Sequence, residues 1–123
     1  MTRTTFQQWL ELYLRRQEQR DATVVRELFA REGVYWWGPF NPPRRGVEAI
    51  YEHHRNALSH QTDIKYEYEI LATTAQLGIA RFRLTLNDQT PGEPNNYDGI
   101  FLVRLNDDGK CVLFEEWYHS VTK

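Results

Sequence analysis

Gly99-Ile100-Phe101-Leu102-Val103-Arg104-Leu105 runs into Asn106-Asp107-Asp108-Gly109-Lys110 and returns as Cys111-Val112-Leu113-Phe114-Glu115-Glu116-Trp117-Tyr118-His119-Ser120. Two β-rich runs flanking an Asp-Gly turn predict a hairpin. Neighbours along a strand point to opposite faces, so Glu115 and Glu116 face opposite ways. If one face of this strand is covered, one of the two is a buried or pocket-lining acid. A bulge in the last strand would exchange them.

The same alternation extends upstream. Ile64, Tyr66, Tyr68 and Ile70 alternate with Lys65, Glu67 and Glu69, which predicts a half-buried strand. Gly78 to Asn87 predicts another, with Ala80, Phe82, Leu84 and Leu86 on one face and Arg81, Arg83 and Thr85 on the other. The polar stretch from Asn87 to Asn96 is a hairpin loop that leads from this second strand to the final hairpin. Before the strands the period is helical. Phe6, Trp9, Leu10, Tyr13 and Leu14 predict a helix from about residue 5 to 19. Asp21 reads as the N-cap of a second helix, with Val25, Leu28 and Phe29 as its stripe and Gly33 as its end. Val34 to Trp37 is a short aromatic strand, broken by Gly38-Pro39-Phe40-Asn41-Pro42-Pro43. Val47, Ile50, Tyr51, His54 and Leu58 share one face of a third helix. Helices followed by an antiparallel meander imply a single α+β domain over residues 1–123, with three N-terminal helices packed on one face of a strongly curved antiparallel sheet. A curved sheet closed by helices encloses a conical space suited to a small molecule.

Composition narrows the partners. Hydrophobic residues make up 41% and charged residues 26%, ordinary for a globular domain. A net charge of −2 gives no electrostatic case for nucleic acid or an anionic membrane. Arg44-Arg45 is too short to be a basic patch and reads as an exposed loop pair. Cys111 is the sole cysteine, so no intrachain disulfide forms, and it reads as a small core residue. The start of the chain lacks the apolar run of a signal peptide, and no segment has the length of a membrane span. A cytoplasmic location is the expectation.

Three pieces carry a resemblance: the region from Arg20-Asp21 to Leu28-Phe29-Ala30; Tyr35-Trp36-Trp37-Gly38-Pro39 with Pro42-Pro43 and Gly46 to Ile50; and Asp108-Gly109-Lys110 leading to Phe114-Glu115-Glu116-Trp117-Tyr118. In this order they resemble the SnoaL-like branch of the NTF2-like superfamily, a cone-shaped fold. The family holds isomerases, cyclases, epoxide hydrolases and dehydratases beside plain binding and association domains, so membership does not name a reaction. The resemblance implies a strand phase. Glu116 points into the cone with Val112, Phe114, Tyr118 and Ser120, while Glu115, Trp117 and His119 lie on an outer face suited to a homodimer. It also implies that Tyr35 and Trp37 point inward. An epoxide-opening site of this fold uses an inward arginine and a second acid, and neither stands at an inward phase here.

Glu116 is therefore the candidate proton carrier. A carboxylate in an aromatic cone is desolvated and exchanges protons near neutral pH, as enolisation, cyclisation or dehydration requires. The rival reading is a structural acid paired with an arginine or hydrogen-bonded by a tyrosine. His54, in line with Ile50 and Leu58, is the candidate second shuttle or else a satisfied core histidine. Tyr35 and Tyr118 are the candidate oxygen donors. Tyr13, Trp37, Phe82, Tyr97 and Phe114 complete the expected ligand-binding set. His53-His54, His60 and His119 have no metal-ligand spacing, and no nucleotide fingerprint occurs, so the expected chemistry uses no cofactor. The partners implied are a hydrophobic oxygen-bearing small molecule and a second copy of the chain. The alternatives are a non-catalytic binding module and an association domain whose cone is filled by Trp37, Tyr66, Phe82 and Phe114.

Overall fold

The computed structural model describes residues 1–123. Three helices, α1 (Arg3–Glu18), α2 (Val24–Leu28) and α3 (Val47–Ser59), cover a curved sheet of six strands. The strands are β1 (Phe29–Trp36), β2 (Arg44–Arg45), β3 (Gln61–Thr73), β4 (Leu77–Asp88), β5 (Asn96–Leu105) and β6 (Cys111–Val121), in the order β2-β1-β6-β5-β4-β3. The α+β class predicted from the sequence is the observed one. The sheet is mixed, however, because β1 pairs with β6 in parallel. That pairing brings the aromatic strand beside Glu116.

Helix α1 starts at Thr2, whose hydroxyl accepts the Thr5 amide at 3.0 Å. Its buried face is Phe6, Trp9, Leu10, Tyr13, Leu14 and Gln17, so a glutamine occupies the last position of an otherwise apolar stripe. Arg15 and Arg16 lie in its last turn, favourable to the helix dipole. Helix α2 is shorter than the sequence predicts. Asp21 does not cap it directly. The Asp21 carboxylate accepts from the backbone and hydroxyl of Thr23, and Thr23 is the N-cap residue. Phe29 leaves the helical stripe to open β1, and Gly33 lies inside that strand, where the register with β6 shifts.

The long hairpins match their predicted spans to within a few residues. Phe82 and Phe101 stack on adjacent strands with centroids 3.9 Å apart, and Phe101 meets Phe114 at 5.0 Å. Gly99 lies opposite Tyr118. A Cβ there would stand 2.1 Å from the Trp117 carbonyl oxygen, so only glycine lets β5 and β6 pair this closely. An irregularity between Arg104 and Leu105 alters the phase at the start of β6. There Cys111 is fully buried, while Val112, expected inside, is only half-buried.

Candidate functional site

A cavity of about 360 Å³ opens between the inner face of the sheet, α3 and the end of α1. Its size lies in the range of small-molecule sites. Nine of its 21 lining residues are hydrophobic, so the chamber is mixed in character.

Glu116 lines it. The register sets Glu116 opposite Phe101 on the inner face, whereas Glu115 lies on the other face, 3.4 Å from the Trp117 indole nitrogen. The Tyr35 hydroxyl donates to Glu116 Oε1 at 2.5 Å. No salt bridge involves Glu116. Burial dominates and raises its carboxyl from 4.5 to about 7, against the opposing hydrogen bond from Tyr35. The Tyr35 phenol is itself pushed far up, first by burial and then by the adjacent Glu116 charge. Glu116 thus changes charge near neutrality and Tyr35 stays protonated.

His54 sits behind this pair. Its Nδ1–H donates to the Ile50 carbonyl at 2.8 Å, which leaves Nε2 to accept from the Tyr13 hydroxyl at 2.6 Å. A carbonyl only accepts, so the proton resides on Nδ1. Burial lowers His54 to about 4, and it is neutral at physiological pH. The Tyr35 and His54 rings pack at 4.8 Å, but both His54 nitrogens are engaged away from Glu116. His53, its neighbour, also lines the cavity and meets the Trp37 ring at 4.8 Å. Burial, with the Arg44 charge adding to it, lowers His53 to about 4.

Tyr35, Trp37, His54, Phe82, Tyr97 and Tyr118 all line the cavity. Tyr13 and Phe114 do not. They are 1% and 0% exposed and pack on each other at 5.2 Å in the core behind it. Helical phase and strand phase place both inward, but depth separates core from cavity. Tyr118 Oη makes one long hydrogen bond, 3.4 Å to the Trp37 carbonyl. The Tyr66 hydroxyl lines the same chamber and has no partner in the protein. Trp37, Tyr66 and Phe82 border the cavity without filling it.

Several lining residues escape the sequence reading, among them Gln17, Arg44 and the acids Asp88 and Glu93, although no second inward acid was expected. Gln17 occupies the buried phase of α1, a polar residue at an apolar position, and that phase is the signal that would have found it. Arg44 corrects the reading of an exposed loop pair and of an interior without arginine. It pairs with Tyr35 across β1 and β2 and lines the cavity. Directly paired residues share a face, so the inward phase of Tyr35 carries Arg44 inward. No sequence period reveals a two-residue strand.

The SnoaL-like domain profile matches residues 10–114. This chain belongs to the SnoaL-like domain family. The NTF2-like fold implied by the three-piece resemblance is therefore shown. Solved structures similar to this SnoaL-like domain agree. A ketosteroid isomerase-like protein from Erwinia carotovora atroseptica is 21% identical, with 94% of each chain covered and a TM-score of 0.71. A steroid delta-isomerase from Pseudomonas aeruginosa is 23% identical over 94% of this chain and 77% of its own, at 0.66. The epoxide hydrolase/cyclase-like enzyme SalBIII, described in pyran ring formation in the polyether salinomycin, is 14% identical over 92% and 89%, at 0.78. At these identities the likeness establishes the fold. No curated protein matches the sequence. No helix is long and apolar enough to cross a membrane.

Proposed function

We propose that this SnoaL-like domain catalyses cofactor-free proton transfer on a hydrophobic, oxygen-bearing small molecule, as an isomerase, cyclase or dehydratase does. One observation carries the reading: Glu116 faces the cavity, has no cation partner, and is held by burial at about 7. A group with this midpoint takes a proton from a carbon acid and returns it at neutral pH. Tyr35 holds the carboxyl in one orientation through its 2.5 Å hydrogen bond. Tyr118, loosely held, and Tyr66 and Tyr97, without protein partners for their hydroxyls, are the groups free to donate to an oxygen that gains negative charge. His54 acts in this scheme as a positioning residue that fixes Tyr13 and supports the Tyr35 ring. Trp37, Phe82 and Tyr97 offer the apolar walls.

Exposed Trp117 and Val121 on the outer face of β6, with half-buried Ile100 opposite Trp117, support a homodimer through that face.

The test is exchange of α-protons in deuterated water. 2-Tetralone and related aryl ketones are incubated with the protein and read by proton NMR. The wild type accelerates exchange over buffer and Glu116→Gln does not. Equal rates for the two proteins would remove Glu116 from the chemistry. Ketones that bind but exchange no faster than in buffer would favour the non-catalytic binding module.

A further inference from the structure

Two buried side-chain nitrogens in the molecule lack a hydrogen-bond partner, Gln17 Nε2 and Arg44 Nε, and both residues line the same cavity. Native proteins leave few such groups unpaired, because a buried donor without an acceptor keeps its full desolvation cost. The arginine is the sharper case. Several other guanidiniums are matched: Arg81 and Arg83 hold Asp98, Arg16 holds Asp21 and Glu27, and Arg26 holds Glu48, while the unmatched Arg31, Arg45 and Arg104 are exposed to water. Arg44 makes no ion pair and no side-chain hydrogen bond. Its guanidinium carbon lies 5.8 Å from the centroid of the Trp37 ring. The guanidinium forms no salt bridge with Glu116.

We propose that Arg44 is the anion anchor of this cavity, so that its ligand is an aromatic or alicyclic carboxylate. The guanidinium is a planar fork of five donors that matches a carboxylate in a bidentate manner, and Trp37 and His53 beside it supply flat apolar surface for the ring that bears the acid. Gln17, reaching in from α1, offers a carboxamide to a second polar group on the same molecule. The substrate class of the preceding subsection narrows to ring compounds that carry a carboxylate as well as the oxygen function presented to Glu116. This inference rests on the cavity being a ligand site, as that subsection holds.

The experiment uses 2-naphthoate and its neutral analogue 2-naphthamide, with binding measured by isothermal titration calorimetry. Measurements at about pH 6 keep naphthoate ionised while Glu116 stays protonated. Wild type, Arg44→Met and Arg44→Lys are compared. A charge-assisted pair predicts naphthoate binding about tenfold or more tighter than naphthamide to the wild type. Arg44→Met loses that preference, weakening naphthoate far more than naphthamide, while Arg44→Lys keeps part of it because the charge survives without the fork. Naphthoate no tighter than naphthamide, or unaffected by Arg44→Met, overturns the anchor while leaving the cavity as a binding site. Failure of both probes to bind the wild type overturns the cavity reading and the anchor with it. Position 44 lies in a two-residue edge strand, and Arg44→Lys reports on the anchor independently if Arg44→Met folds poorly.

Discussion

Glu116→Gln should make the protein more stable, and increasingly so as pH rises. In the folded chain burial holds the Glu116 carboxyl at about 7, against 4.5 for the ordinary group. Between these values the unfolded chain has released a proton that the folded chain still holds. The folded state binds more protons, so stability falls as pH rises through this window. At about 1.4 kcal/mol per pH unit, the loss from this one group reaches about 3 kcal/mol above neutrality. Below the ordinary value it vanishes, because both states are protonated. Glutamine has no charge to bury and escapes the loss, while its amide oxygen still accepts from Tyr35. The assay is urea unfolding of wild type and Glu116→Gln at closely spaced pH values from about 4 to 8. His53 and His54 titrate in both proteins, so their contributions cancel in the difference. The stability difference should grow by about 3 kcal/mol across the range, with most of the change between 4.5 and about 7. A difference that stays flat with pH would refute the reasoning, since it would mean that Glu116 titrates alike in both states.

Four further outcomes follow from particular contacts. Tyr35→Phe removes the one hydrogen bond that lowers Glu116, so the Glu116 midpoint should move up by about one pH unit, read by carbon NMR of the carboxyl; a downward move would contradict the assignment. Gln17→Leu removes a buried nitrogen that has no partner and should raise stability by about 1 kcal/mol in thermal unfolding, whereas a loss of stability would show that the amide is satisfied in solution. Gly99→Ala places a Cβ against the backbone of Trp117 and Tyr118 and should cost about 2 kcal/mol or more by urea unfolding; a neutral result would mean that β5 and β6 are not so tightly paired. Trp117→Lys puts a charge on the outer sheet face and should convert a dimer to a monomer in light scattering, and an unchanged mass would place the interface elsewhere.

Most of the fold was legible because its signals are local. The Asp-Gly turn and clean alternation fix β5 and β6, and the same alternation finds β3 and β4. The stripe from Phe6 to Leu14 finds α1. The region from Asp21 to Gly33 misled because Val25, Leu28 and Phe29 fit a helical face, while the parallel partner that draws Phe29 into β1 lies far away in β6. Pairing partners are a tertiary fact, and alternation alone does not supply them. The same limit governs the site. Glu116 could be phased from the hairpin and the family resemblance, but Arg44 became visible only once Tyr35 was seen to pair with it. Inwardness also does not distinguish cavity from core. Tyr13 and Phe114 point inward as predicted and are covered by other side chains, whereas Tyr35 and Tyr118 on neighbouring elements reach the chamber.

The central claim is that Glu116 is a cavity acid ready to exchange protons at neutral pH. Its direct test is a carbon NMR titration of protein labelled at the glutamate carboxyls, with Glu116→Gln to assign the signal. One carboxyl titrating near 7 and missing from the variant is the result predicted. A Glu116 signal that titrates with the surface glutamates, at about 4 to 5, would mean that the carboxyl is solvated in solution and would contradict the account.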